Sequence, residues 1–227
     1  MLRYLDVQNI LDKNDLILQE SGCVGSENER GNTYMKKIGI VTDSHSSISQ
    51  EEAEKLGIFV LPMPFYIDGV CYYESVTLSR ELFFEKLAAG ADITTSQPSP
   101  TAVMEIWDKA LEQFEKILYL PISSGLSGSY ETAMMLAKDE AYEGRVLVVD
   151  DGQVAAPLHQ MVLDTLDMIE KGYEAEQIRD LLERAGDRMM IYIALQTLEC
   201  LKKGGRVTPA AAALGSVFNI KPILKLQ

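Results

Sequence analysis

The stretch Ile117-Leu118-Tyr119-Leu120-Pro121-Ile122-Ser123-Ser124-Gly125-Leu126-Ser127-Gly128-Ser129-Tyr130 decides the fold class. It opens on four apolar residues, crosses a loop of small residues and hydroxyls, and enters a segment, residues 130–138, that reads as helix. A short, wholly apolar run bounded by such a loop fits a strand buried on both faces, as in a parallel sheet packed by helices.

Working outward, the same pattern recurs. Toward the N-terminus, Ile38-Gly39-Ile40-Val41 is an apolar run that ends in the polar loop Thr42-Asp43-Ser44-His45-Ser46-Ser47. Ser49 and Glu52 have the spacing of a capping box, in which two orphan helix donors are satisfied reciprocally. Gly57 closes that helix, and residues 58–61 read as a second strand. Ser79 opens a helix that Gly90 stops. Ser99-Pro100 supplies an N-cap and a first-turn proline to a longer one. In it Val103, Ile106, Trp107, Ala110, Leu111 and Phe114 keep helical spacing. Toward the C-terminus, Val146-Leu147-Val148-Val149 is a fourth strand. Helices follow at 154–170 and 174–185, a strand at 189–194, and a helix at 198–203 that Gly204-Gly205 ends. Residues 209–226 are apolar.

This alternation predicts an α/β protein: a parallel sheet covered by helices on both faces, followed by part of a second α/β lobe. The expected division is a weakly ordered N-terminal extension at 1–35, a first α/β domain at 36–160, and the start of a second, apparently truncated, at 161–227.

Composition narrows the function. The chain has 227 residues, 47% hydrophobic and 24% charged, with 21 Lys and Arg against 34 Asp and Glu, a formal charge of -13. Nucleic acid is excluded as a partner, because phosphate binding needs a positive footprint. Cys23, Cys71 and Cys200 are odd in number and have no CxxC spacing, so they read as free thiols in a reducing compartment, with Cys200 in the core. The two His and three Cys lack zinc-ligand spacing, and no metal or cofactor is expected. No run of about 18 apolar residues marks a membrane span. The chain reads as cytoplasmic.

Three hydroxyl-rich loops carry the candidate chemistry: 42–47, 94–99 and 123–129. Ligands of open α/β sheets bind outside the carboxyl ends of strands. Small residues let backbone approach a ligand, and hydroxyls with helix N-terminal N–H groups hold an anionic oxygen. Each loop alone also reads as a helix cap; three together point to an anion site. Thr42, Asp43, Ser44, Ser96 and Ser124 are candidates on these loops. In so acidic a chain, Arg206 and Lys221 are the cations placed to meet a carboxylate or phosphate.

Other chemistries compete. There is no GxxxxGK[ST] phosphate loop. Gly125-Leu126-Ser127-Gly128-Ser129 approaches a nucleophile elbow without its final glycine. A stand-alone serine hydrolase would use Ser127 with His45 as base. His159 reads as structural, mid-helix. Asp150-Asp151 reads as a turn with a helix cap rather than a metal site.

The chain resembles the DegV family from about Met35 onward. The motifs are Thr42-Asp43-Ser44, Thr95-Ser96-Gln97-Pro98-Ser99, Ile122 through Tyr130 as quoted above, Val148-Val149-Asp150, Leu201-Lys202-Lys203-Gly204-Gly205-Arg206 and Asn219-Ile220-Lys221-Pro222-Ile223-Leu224. The resemblance implies a long-chain fatty acid in an apolar tunnel. Its carboxylate would lie on Thr95 and Ser127, with the Gly128 N–H helping and Arg206 close by. It also implies an ATP-dependent kinase subunit as partner, with an acyl phosphate as product, and leaves room for transient membrane contact. A non-lipid anion-binding regulatory module is the remaining alternative. The chain departs from the family pattern at 151–156, where a Ser-containing loop is usual. Family members also continue past the Lys221-Pro222 segment, with a further His near the carboxylate.

Overall fold

The computed structural model describes residues 36–74, 76–195, 198–206 and 223–226. Strand β1 (Lys36–Asp43) runs into a 3-10 turn (Ser44–Ser46), helix α1 (Gln50–Leu56) and β2 (Phe59–Leu61). A hairpin, β3 (Pro64–Ile67) and β4 (Val70–Tyr73), precedes α2 (Arg80–Ala88), β5 (Ile93–Thr95) and α3 (Pro100–Leu111). Then come β6 (Phe114–Leu120), α4 (Ser129–Leu136), β7 (Val146–Val148), α5 (Ala156–Glu170) and α6 (Ala175–Gly186). Strand β8 (Ile191–Ala194), α7 (Glu199–Lys203) and β9 (Ile223–Leu226) complete the described elements.

The expected parallel sheet is present, with strand order β2-β1-β6-β7. Its side chains alternate between two cores. Ile40, Leu118, Leu120, Leu147 and Val149 pack under α1, α5 and α6. Val41, Ile117, Tyr119, Val146 and Val148 pack under α3 and α4, around the fully buried Trp107. Burial on both faces explains why these strands read as unbroken apolar runs. The first core does not break at residue 160. Met161, Val162 and Met168 of α5 and Ile178 and Leu182 of α6 share the cluster of Ile38 and Ile40. Gly186 is needed where α6 presses on the end of β7, since a Cβ there would run into the Asp151 carbonyl.

Three readings need correction. Phe114 is not the last turn of α3 but the first residue of β6. Its ring fills the space over Gly39, where a Cβ would lie 2.5 Å from the ring carbons, so tertiary packing overrides helical spacing. Residues 154 and 155 precede α5, and Ala155 has a φ of 56°, outside the helical region. Thr94 and Thr95 do not leave a strand of the parallel sheet. They lie in β5, which joins β3 and β4 in a separate antiparallel sheet, order β4-β3-β5.

The helix starts follow the sequence signals. Ser49, Ser79 and Ser99 each accept a hydrogen bond from the backbone N–H three residues on. The capping box is one-sided, because Glu52 turns to His159, 3.3 Å from its Nε2. Of the region expected as a second lobe, the described residues include α7 and the antiparallel pair β8–β9. Residues 1–35, which hold Cys23, and most of 207–227 lie outside the described residues, as does the Cys200 side chain.

Candidate functional site

The strand order places a switch point between β1 and β6. From β1 the chain crosses to β2 on one side, and from β6 to β7 on the other. Connections that diverge in this way leave a crevice at the carboxyl ends of the two central strands. The loops that flank it are those of residues 44–47 and 123–127.

Asp43 ties the two loops together. Its side chain is fully buried. Oδ2 accepts from the Ile122 N–H at 2.8 Å. Oδ1 accepts from the His45 N–H at 2.8 Å, and the His45 Nδ1 lies 3.1 Å from the same oxygen. Thr42 donates its hydroxyl to the Leu120 carbonyl at 2.8 Å, inside the sheet. Ser44 Oγ accepts from the Met63 N–H at 3.1 Å, which fixes the chain leaving β2.

The serine loop is braced from its other side. The Ser123 N–H donates to the Gln153 carbonyl, and the Ser124 N–H to Asp150 Oδ1 at 3.4 Å. Ser127 Oγ accepts from the Ser129 N–H at 3.2 Å and pairs with Ser129 Oγ at 2.8 Å. The N-cap residue of α4 is Gly128, which has no side chain to cap the helix. Gly128, at its N-terminus, leaves room for Gln97, whose Oε1 would lie 3.0 Å from a Cβ there. Gln97 also accepts from the Thr132 hydroxyl at 3.4 Å, so the 94–99 and 123–129 segments meet.

A cavity of about 520 Å³ opens here, within the range of small-molecule sites. Ser44, His45, Thr95, Ser96, Ser127 and Arg206 contribute polar lining. Met63, Phe65, Leu78, Phe83, Ile93 and Leu126 contribute apolar lining. The antiparallel sheet forms part of the wall. Thr95 is the register partner of Phe65, and Ile93 sits two residues before Thr95 on the same face. Arg206, just past the α7 glycines, donates from Nε to the Leu126 carbonyl at 3.3 Å and from a terminal nitrogen to the Gly204 carbonyl. Lys203 pairs with Asp92 at 2.9 Å and draws the same turn toward β5.

Thus Ser44, Thr95, Ser96, Ser127 and Arg206 face one space, from segments far apart in sequence. Ser96 donates its hydroxyl to the Gln97 carbonyl at 2.7 Å. Thr42, Asp43, Ser124 and Gly128 flank the cavity as frame. Lys221 lies outside the described residues. Sequence reading missed the β3–β5 wall, including Phe65. It had considered His45 only as a base for Ser127. Among the described residues no hydrogen bond joins these two, since His45 Nδ1 faces Asp43 and Ser127 Oγ faces Ser129.

Behind the loops, Asp150 and Asp151 form turns rather than a helix cap. Asp150 Oδ1 accepts from the Gly152 N–H, and Asp151 Oδ1 from the Gln153 N–H at 2.9 Å. Burial pushes the Asp151 carboxyl up to about 7, with the Asp150 and Asp43 carboxylates adding to the push against the Gln153 N–H. Burial, and then the Asp43 charge, also raise the Tyr119 phenol. Among the described residues no group of three His, Cys, Asp or Glu side chains is placed to hold a metal. No described helix is long and apolar enough to cross a membrane.

Known proteins match both the sequence and this architecture. Residues 37–227 match the family described as uncharacterised proteins of the DegV family. A DegV domain-containing protein of Caldanaerobacter subterraneus is 32% identical over 190 residues, 84% of this chain and 68% of that protein. The fold superposes on a fatty-acid-binding DegV family protein of Thermus thermophilus with a TM-score of 0.73 and 36% identity, over 84% of this chain and 68% of the other. A stearic acid-binding protein of Eubacterium ventriosum matches with a TM-score of 0.70 and 25% identity, over 85% of this chain and 67% of that one. Sequence and fold agree over the same residues, and the chain belongs to the DegV family.

Proposed function

We propose that this chain binds a long-chain fatty acid in the cavity at the β1/β6 switch point, with the carboxylate on Thr95 and Ser127. The observation that carries the reading is one cavity lined by both hydroxyls, Arg206 and several large apolar side chains. Fatty-acid binding by the Thermus and Eubacterium relatives supports it. The network around Ser127 suits the role. If Ser129 donates its hydroxyl proton to Ser127 Oγ, the Ser127 proton is left for a ligand oxygen. The Gly128 N–H, at the start of α4, supports the same anion. Ser44 completes the polar surround, with Ser124 in the frame behind it.

The bound acid is then presented to an ATP-dependent kinase subunit, which forms the acyl phosphate. This chain contributes binding and orientation, not a catalytic group of its own. The setting is the cytoplasm, where an exposed free thiol such as Cys71 persists, with transient membrane contact for loading.

The test is titration of purified protein with palmitate, together with mass spectrometry of its organic extract. A charge-assisted hydrogen bond contributes about 1.5–3 kcal/mol, so Ser127→Ala weakens binding about tenfold or more. Unchanged affinity sinks the assignment of Ser127. Arg206→Ala leaves the melting temperature within about 1 °C, because its partners are two backbone carbonyls at an exposed turn. Acyl phosphate formation with the kinase falls in the same variant. A variant that unfolds or aggregates makes Arg206 structural instead.

A further inference from the structure

We infer that His45 is a further headgroup-binding residue of this cavity, hydrogen-bonding through Nε2 to the ligand carboxyl group. The inference rests on the fatty-acid reading above and extends it to a side chain that the hydroxyl motifs leave out.

The turn that carries His45 is held without the ring. The His45 N–H donates to Asp43 Oδ1 and its carbonyl accepts from the Ala155 N–H at 2.7 Å. The Ser46 hydroxyl donates to the Asp43 carbonyl at 2.8 Å. The imidazole is therefore not needed for the backbone conformation, and its placement calls for another reason. Its Nδ1 lies 3.1 Å from Asp43 Oδ1, a carboxylate with no exposed surface, while the imidazole itself is 37% exposed. A buried carboxylate at Nδ1 fixes the ring orientation and turns Nε2 away from Asp43. Nε2, on the other side of the ring, has no partner among the described residues. The residue lines the same cavity as Thr95, Ser127 and Arg206.

The geometry thus repeats the device by which a carboxylate aligns a histidine toward a ligand. Here the ligand is an organic carboxyl group, sharing a proton with Nε2, instead of a metal. Asp43 serves both contacts, because its second oxygen holds the Ile122 N–H at the root of the serine loop. One buried side chain then sets the imidazole and the hydroxyl loop against each other. His159 is the internal contrast: its Nε2 is engaged by Glu52 and it does not line the cavity.

The experiment compares palmitic acid with hexadecanol, which has the same chain and no carboxylate. In wild-type protein, measurable binding of the acid is the check on the fatty-acid reading itself. His45→Ala weakens the acid about tenfold, leaves the alcohol within about twofold, and does not move the melting temperature. His45→Phe keeps ring volume without the ring nitrogens and shows the same selective loss. Wild-type affinity for the acid in either variant overturns the role of His45. So does an equal loss for acid and alcohol, which would make the ring a piece of apolar wall. If wild-type protein binds neither, the fatty-acid reading fails first, and that result is distinct from a selective failure at His45.

Discussion

Asp43→Ala lowers the unfolding free energy by about 4 kcal/mol and removes acyl binding with it. The carboxylate is fully buried and accepts from two backbone donors on opposite oxygens, His45 N–H on Oδ1 and Ile122 N–H on Oδ2, each at 2.8 Å. Truncation leaves those donors without an acceptor, at about 1–3 kcal/mol each. It also releases the His45 ring. Asp43→Asn is not a mild substitute. An amide offers one oxygen and one NH₂, so it satisfies one backbone donor and presents a donor to the other. It should cost at least half as much as alanine. Denaturant unfolding measures both variants. Faster amide exchange at residues 45 and 122 locates the damage. A loss below about 1 kcal/mol in Asp43→Ala would falsify the view that this carboxylate joins the two loops.

The parallel sheet was legible because its strands are buried on both faces. Ile38-Gly39-Ile40-Val41 and Ile117-Leu118-Tyr119-Leu120 have no polar alternation to confuse them, and serine N-caps marked the helix starts. The antiparallel sheet was not read, though a signal was available. Pro64-Phe65-Tyr66-Ile67 and Val70-Cys71-Tyr72-Tyr73 flank Asp68-Gly69, both with positive φ, 50° and 80°. Asp-Gly between two β-favouring runs is the preferred two-residue hairpin turn. That sheet supplies Thr95 with its setting, so the loop motif was visible while the wall holding it was not. Phe114 misled for another reason. Its spacing suits α3, but it packs over Gly39 and edge-on against Phe59, with ring centroids 6.4 Å apart.

The candidate site was legible residue by residue, and its arrangement was given by the family resemblance rather than by the local sequence. Thr95, Ser127 and Arg206 are separated by 32 and 79 positions, and nothing local in the sequence puts them around one cavity. The switch between β1 and β6 places Ser127, strand β5 of the antiparallel sheet brings Thr95, and the turn after α7 brings Arg206. His45 entered the sequence reading only in the hydrolase alternative. There it was a base for Ser127, but among the described residues no hydrogen bond joins the two, since Nδ1 faces Asp43 and the Ser127 hydroxyl faces Ser129. The roles of Asp150 and Asp151 also depended on burial that spacing cannot reveal.

Asp151→Asn stabilises the fold above neutral pH, and the gain vanishes in acid. The wild-type residue is 1% exposed, with Oδ1 on the Gln153 N–H and no partner for Oδ2 among the described residues. Burial raises its carboxyl from an ordinary 3.8 to about 7. The folded state therefore holds a proton that the unfolded chain releases near pH 4. The sign follows: Asp151 favours the fold fully below that value, and its contribution is lost as pH rises toward 7. At about 1.4 kcal/mol per pH unit, the loss is of order 4 kcal/mol. Asparagine keeps the shape and the Gln153 contact but cannot ionise. Subtracting wild-type from variant stability at each pH removes the other carboxylates from the comparison. The difference should be smallest near pH 4 and grow to several kcal/mol by pH 8. A difference that stays constant from pH 4 to 8 would mean that Asp151 is ionised in the fold throughout, with a cation or water at its second oxygen. Because the Gln153 carbonyl holds the Ser123 N–H and Asp150 holds that of Ser124, the same titration in wild-type protein loosens the serine loop. Acyl affinity should therefore weaken above neutral pH in wild-type protein more than in Asp151→Asn.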